Sequence, residues 1–201
     1  VFAERMRASV LLLGPLLVRL GRARLSFPGG CAIGSRPIDL HLKGLSAMGA
    51  RFALQEGCVE ARTDGLHGAV IYLDVPSVGA TENLLMAATL AKGVTVIDNA
   101  AKEPEIADLA RLLRRMGAKI SGIGQSRLTV EGVPALHGAR FTPMPDRIEA
   151  GTLMLCAAAT RGDVLLRGAQ VTAESAGLRV RAGRLQGVDV ETLACPGFPT
   201  D

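Results

Sequence analysis

Few residues in this chain are spaced to do chemistry, and the first of them is Cys31, in the stretch SFPGGCAIGSRPIDLHL (residues 26–42). Pro28, Gly29 and Gly30 interrupt any regular element before it, and Gly34 and Pro37 do so again after it. A thiol between such breakers belongs on a loop, and loops run over the surface. Arg36 follows within the same stretch, and Arg7 offers a second guanidinium upstream. A neighbouring guanidinium lowers a thiol pKa from its free value of roughly 8.5. Such a group can serve as acid or nucleophile near neutral pH. The other reading is that Cys31 merely fits a tight bend, and the residues themselves leave both open. Spacing argues against a cysteine phosphatase loop, because Cys31 to Arg36 is one residue short of H-C-x5-R and Gly30 stands where the histidine belongs.

A second candidate is DVPSVGATENLLMAATL (residues 74–90), where Ser77, Val78 and Gly79 lead directly into a helical pattern. Free backbone N–H groups at such a start can hold a phosphate, or Ser77 can be an ordinary helix cap. The glycines of SGIGQSR read as a hairpin turn, since no third glycine and no helix follow to make a dinucleotide fingerprint. Cys31, Cys58, Cys156 and Cys195 are irregularly spaced with no C-x-x-C pair, so neither a zinc site nor a disulfide framework is expected. Reduced thiols point to the cytoplasm. His67 and His137 read as packed surface histidines, His41 as a neighbour of the site, and Glu103 and Glu105 as helix caps.

These residues need elements to hold them. At 201 residues and 48% hydrophobic, the chain can bury a core of its own, and with no Trp, one Tyr and five Phe that core must be aliphatic. The net charge of +4 is spread without a basic run, which argues against a nucleic-acid partner while leaving small anionic substrates open. Residues 8–18 form an apolar run that resembles a signal peptide, but Gly14 and Pro15 interrupt it and no cleavage site follows. A buried helix is expected there, too short to span a bilayer.

Internal repetition organises the rest. M-G-A followed by strand, turn, strand and L-H-G-A occurs over residues 47–73 and again over 115–144, with Gly49 and Gly117 68 residues apart. MAATLAKGVTVIDNAA matches CAAATRGDVLLRGAQ in the same way, with Gly93 and Gly162 69 apart. Helices are expected in DLHLKGLSAMG and EPEIADLARLLRRMG, the latter with Ile106, Leu109, Leu113 and Met116 on one face and Gly117 as its stop. Strands are expected in GVTVID, AKISGI and RLTVEG. The fold class is therefore α/β, built from repeated units of about 70 residues around shared helices.

The stretches PGGCAIGSRPIDLHL, PSVGATENLLMAA, NAAKEPEI, PDRIEAGT and PGFPTD, in this order, resemble the UDP-N-acetylglucosamine enolpyruvyl transferases (1-carboxyvinyltransferases). The resemblance runs from about Arg7 to Asp201. It implies an inside-out α/β barrel of two domains, each of three repeated units, with residues 1–145 giving two units of the domain that carries the cysteine loop and 146–201 an incomplete unit of the second. It implies transfer of enolpyruvyl from phosphoenolpyruvate to the sugar 3-hydroxyl with release of phosphate, a step of peptidoglycan synthesis in the cytoplasm. Cys31 then matches the cysteine that protonates the methylene carbon and is alkylated by the epoxide fosfomycin. Arg36 matches an arginine that grips phosphoenolpyruvate, and Arg7 one that also contacts substrate. Arg36, Pro37, Ile38, Asp39 and Leu40 match the uridine-binding segment, and Ser77, Val78 and Gly79 the diphosphate contact. Asp201 matches the carboxylate that takes the hydroxyl proton. No cofactor, metal, membrane or obligate protein partner is implied.

The sequence departs from that family's pattern. Its N-terminal unit with a Lys-Asn pair and everything after FPTD are absent, and Val75-Pro76 stands where some members have Lys. A non-catalytic nucleotide-sugar-binding or inactive fragment is the alternative. The third L-H-G-A equivalent, L-Q-G-V, places Gly187 only 49 residues after Gly138, against 70 between Gly68 and Gly138. About 20 residues, a helix and the strand after it, are expected to be missing near Ser175-Ala176, leaving residues 146–201 incomplete.

Overall fold

The computed structural model describes residues 7–26, 38–55, 57–169, 177–184, 186 and 189. The chain divides into two compact units, Val1–Phe141 with Leu193–Asp201, and Thr142–Thr192.

In the first unit a short 3-10 turn, Arg7–Leu12, leads into helix α1, Leu13–Leu20, which buries Leu13 and Leu17. The expected helix in the N-terminal apolar run is therefore present. It stops at Gly21, which takes φ 67° and returns its N–H to the Leu17 carbonyl. Helix α2 spans Asp39–Ala47, α3 Val78–Ala88 and α4 Pro104–Arg115. Helix α3 is buried on most of its circumference: Ala80, Thr81, Asn83, Leu84, Leu85, Ala87 and Ala88 are all buried. A helix buried this widely must be covered on several sides, and α1, α2 and α4 all pack against it. Helix α4 is amphipathic, with Ile106, Ala107, Ala110 and Leu113 inside and Arg114 and Arg115 in its last turn, where they oppose the negative end of the helix dipole.

Two sheets flank these helices. The first is antiparallel, with order β1-β3-β2, from β1 (Arg22–Ser26), β2 (Arg51–Gln55) and β3 (Cys58–Arg62). The second has order β4-β5-β7-β6, from β4 (Val70–Tyr72), β5 (Val94–Asp98), β6 (Lys119–Ser121) and β7 (Arg127–Glu131). Only the β4–β5 pair is parallel. The order β1-β3-β2 recurs as β5-β7-β6, and the expected strands and the SGIGQSR hairpin lie where the sequence put them.

The repeated tripeptide and tetrapeptide share one physical purpose. After α2, Gly49 turns at φ 97°, and the His67 ring lies on it so closely that a Cβ there would meet Nε2 at 2.9 Å. The His67 N–H donates to the Met48 carbonyl at 3.0 Å. After α4, Gly117 turns at φ 102°, its Cβ position is 3.2 Å from His137 Nε2, and the His137 N–H donates to Met116 at 2.9 Å. M-G-A and L-H-G-A are thus the two halves of a clasp that ties a helix end to the chain entering the next unit. Both histidines are exposed, as expected of surface residues.

The second unit contains helix α5 (Arg147–Ala159), started by Asp146 accepting from the Ile148 and Glu149 N–H groups, and the antiparallel pair β8 (Asp163–Arg167) and β9 (Gly177–Arg181). In the first unit the corresponding antiparallel pairs close at Ser26↔Cys58 and Asp98↔Arg127, with a helix and a strand between. Here Arg167 pairs with Gly177 directly, so the connection is shorter by about 20 residues. Helix α5 buries only Ala157, and Leu153, Leu155 and Leu165 are 44%, 70% and 57% exposed.

Candidate functional site

The parallel strands β4 and β5 run side by side, with Val70 opposite Val96 and Tyr72 opposite Asp98. The chain therefore leaves both at the same sheet end, by residues 73–77 into α3 and residues 99–103 into α4. Ligands of α/β sheets gather outside the carboxyl ends of parallel strands, where helix starts supply free N–H groups.

At the start of α3, Ser77 has extended backbone and its Oγ accepts from the Ala80 N–H at 3.3 Å, while its carbonyl accepts from Thr81. Ser77 is an ordinary cap, and that leaves the Val78 and Gly79 N–H groups without a partner among the described residues. The His41 ring lies over Gly79, with Cε1 3.4 Å and Nε2 3.5 Å from its Cβ position. His41 belongs to the first turns of α2, so this contact brings Ile38, Asp39 and Leu40 to Ser77, Val78 and Gly79. Asp39 is exposed in the first turn of α2, where the helix dipole favours its charge. Lys43 Nζ reaches Asp74 Oδ2 at 2.6 Å and ties α2 to the loop before α3.

Beneath this junction lies Asn83, fully buried on α3. Its Oδ1 accepts from the Gly14 N–H at 2.7 Å, and its Nδ2 donates to the Val10 carbonyl and to His41 Nδ1, both at 3.0 Å. An asparagine between the apolar Ala80 and Leu84-Leu85 of α3 was the available signal for it, and sequence reasoning passed over it.

The second loop is held as firmly. Asn99 takes φ 57° and donates to the Leu73 carbonyl at 2.8 Å, the Ala100 N–H reaches Ser126, and the Ala101 N–H reaches Thr81 Oγ1 at 3.1 Å. Glu103 occupies the N-cap position of α4, but its side chain makes no cap bond, which corrects the expectation that it caps the helix. Glu105 lies in the first turn of the same helix. Burial, and then the charge of Glu105, push the Glu82 carboxyl above the ordinary glutamate range.

Of the other expected site residues, Arg7 opens the 3-10 turn, and Cys31, Arg36, Pro37 and Asp201 lie outside the described residues. Cys58 is half-buried and Cys156 exposed, both as free thiols. Among the described residues no group of three or more His, Cys, Asp or Glu could hold a metal ion, and no helix is long and apolar enough to cross a membrane. An open cavity of about 340 Å³ between α1, α3, α4 and Leu136-His137 is apolar and shares no residue with this junction.

A family of carboxyvinyl-transferring enzymes accounts for this arrangement. Residues 2–200 match EPSP synthase (3-phosphoshikimate 1-carboxyvinyltransferase), and the chain belongs to that family. Within it, the chain is 55% identical to the UDP-N-acetylglucosamine 1-carboxyvinyltransferase of Solidesulfovibrio magneticus, over 98% of this chain and 51% of that protein. The chain thus spans about half the length of that relative. The fold is like that of the enolpyruvyl transferase NikO from Streptomyces tendae, with a TM-score of 0.71 at 22% identity, covering 94% of this chain and 50% of that one. EPSP synthase from Acinetobacter baumannii gives a TM-score of 0.59 at 25% identity, over 82% of this chain and 38% of that one.

Proposed function

We propose that this chain is part of an enolpyruvyl transferase that moves the enolpyruvyl group of phosphoenolpyruvate to the 3-hydroxyl of UDP-N-acetylglucosamine, in peptidoglycan synthesis. The observation that carries the reading is the 55% identity, sustained over 98% of the chain, to a protein named for that reaction. The approach of α2 to the start of α3 through His41 and Gly79 supports it, since a helix start with free Val78 and Gly79 N–H groups suits a diphosphate.

In this reading residues 1–145 are two of three units of an inside-out barrel domain, and 146–201 begin a second domain of the same kind. The enol phosphate of phosphoenolpyruvate resists addition until its methylene carbon is protonated, and Cys31 is the acid. The sugar hydroxyl then bonds to the adjacent carbon and gives its proton to Asp201. Loss of a proton from the new methyl group and departure of phosphate restore the double bond. Arg36 and Arg7 offset the negative charge of phosphoenolpyruvate, and the segment from Arg36 to Leu40 holds the uridine. The location is cytoplasmic.

The test is phosphate release by the complete gene product, dependent on both substrates, together with labelling by fosfomycin. Labelling is expected at Cys31 and is lost in Cys31→Ala. The exposed Cys156 and half-buried Cys58 are the internal controls. Labelling that survives Cys31→Ala, or phosphate release indifferent to the sugar nucleotide, overturns the reading.

A further inference from the structure

The loop NAAKEPEI (residues 99–106) has so far been given no part in binding. Its backbone is fixed on three sides, by Asn99 to Leu73, Ala100 to Ser126 and Ala101 to Thr81, the last of these residues being in the first turn of α3. The next described acidic side chain along this fixed loop is Glu103. The residue is only 8% exposed, and its Oε2 is enclosed with no hydrogen-bond partner among the described residues. It makes no cap bond to its own helix, and no ion pair with it is seen among the described residues.

An ionised carboxylate accepts hydrogen bonds and donates none. Burying one without donors is unfavourable, so a carboxylate held there by a fixed backbone is ready for donors that a ligand supplies. The surroundings say which kind. A carboxylate repels carboxylate and phosphate oxygens and accepts from hydroxyl and amide donors. Of the two substrates proposed above, phosphoenolpyruvate presents carboxylate and phosphate oxygens. The sugar nucleotide presents hydroxyls and an acetamido N–H.

We infer that Glu103 accepts hydrogen bonds from the N-acetylated sugar of the nucleotide sugar, at the carboxyl end of the β4–β5 pair, while the start of α3 faces the diphosphate. This rests on the enolpyruvyl transferase reading and adds to it a residue that distinguishes the sugar from the bare nucleotide.

The experiment is titration of the 201-residue chain with UDP and with UDP-N-acetylglucosamine, by calorimetry and saturation-transfer NMR, for the wild type, Glu103→Gln and Glu103→Ala. Expected is tighter binding of UDP-N-acetylglucosamine than of UDP by the wild type. Both variants should lose about tenfold for the sugar nucleotide, in line with one charged hydrogen bond, with UDP affinity unchanged. The melting temperature of Glu103→Gln should equal or exceed that of the wild type. Unchanged binding of UDP-N-acetylglucosamine by both variants overturns the inference, as does an equal loss for both ligands. A wild-type chain that binds neither ligand overturns the functional reading itself, and the inference with it.

Discussion

Asn83 Nδ2 and His41 Nδ1 are 3.0 Å apart, and this bond fixes where the histidine proton sits. Gly14 N–H must meet the amide oxygen and the Val10 carbonyl must meet the amide nitrogen, so the orientation of the Asn83 side chain is determined. The amide nitrogen therefore donates to His41 Nδ1, and the neutral ring carries its proton on Nε2, beside Gly79. One buried amide thus joins the lead-in to α1, the start of α2 and the middle of α3, and every one of its hydrogen-bonding groups is used.

Removing that amide strands several partners at once. Asn83→Leu leaves the Gly14 N–H, the Val10 carbonyl and His41 Nδ1 without their bonds, at a cost of about 3–5 kcal/mol. Gly14→Ala is expected to cost a similar amount by a different route, because its Cβ would lie 2.5 Å from both the carbonyl and side-chain oxygens of Asn83. Urea unfolding of the two variants checks both; a loss below about 1 kcal/mol in either would show that the junction rearranges freely.

The clasp glycines can be separated from glycines that merely turn. Gly49 and Gly117 combine positive φ with a histidine ring against the Cβ position, whereas Gly124 has φ 81° with nothing within 4 Å. Gly124→Ala is expected to cost about 1 kcal/mol from backbone strain alone. Gly49→Ala and Gly117→Ala should exceed it by a further 1 kcal/mol or so, and shortening the ring in the double variants with His67→Ala or His137→Ala should recover that excess. Equal losses at all three glycines would remove the clasp from the account.

Much of this was legible in the sequence, for reasons that particular residues explain. The M-G-A and L-H-G-A spacing is visible because glycine is demanded where φ is positive and histidine where its ring covers that glycine. Strands β5, β6 and β7 were legible from their β-branched runs, and α4 from its single apolar face. The candidate segments were legible as separate pieces, Ile38–Leu40 through the family resemblance and Ser77–Gly79 as the start of a helix. Their convergence was not, because it depends on His41 and Asn83, which are 42 positions apart and touch only in the folded chain. Glu103 was misread as a cap because its position in the chain is that of a cap; only the structure shows that its carboxyl makes no cap bond.

The carboxyl of Glu82 supplies a pH dependence of known sign. Its folded pKa is raised above 4.5, first by burial and second by Glu105. A raised pKa means that ionisation is harder in the folded chain, so the charged group destabilises at neutral pH and the penalty fades as pH falls through the folded pKa. Glu82→Gln is therefore expected to melt higher than the wild type at pH 7, with the gap narrowing as pH is lowered toward 4.5. Melting curves at those two conditions decide it, and a gap that widens on acidification would reverse the assignment.

The second unit lacks a piece that the first unit has twice. Between the paired ends Ser26 and Cys58, and between Asp98 and Arg127, the chain makes a helix and a strand, but between Arg167 and Gly177 it has no room for them. The comparison with the Solidesulfovibrio magneticus protein agrees. It extends over 214 residues while using 98% of these 201, about 197, so the match opens about 17 positions of gap in this chain. The expected consequence is an apolar surface on α5 and β8 that an amphipathic helix such as α4 would otherwise cover, and Leu155 and Leu165 are the residues left out in the open. Residues 142–192 should therefore be cut by protease, and exchange their amide hydrogens, well before residues 38–141. Leu155→Glu should leave the melting temperature within about 0.5 kcal/mol of unchanged stability, as for a surface site, whereas Leu85→Glu in the buried helix α3 should abolish folding. Inserting the helix and strand of residues 99–121 between Arg167 and Gly177 should raise the protection of this unit toward that of the first. Equal protection of both units in the unaltered chain would show that the shortened unit has found another way to close its core.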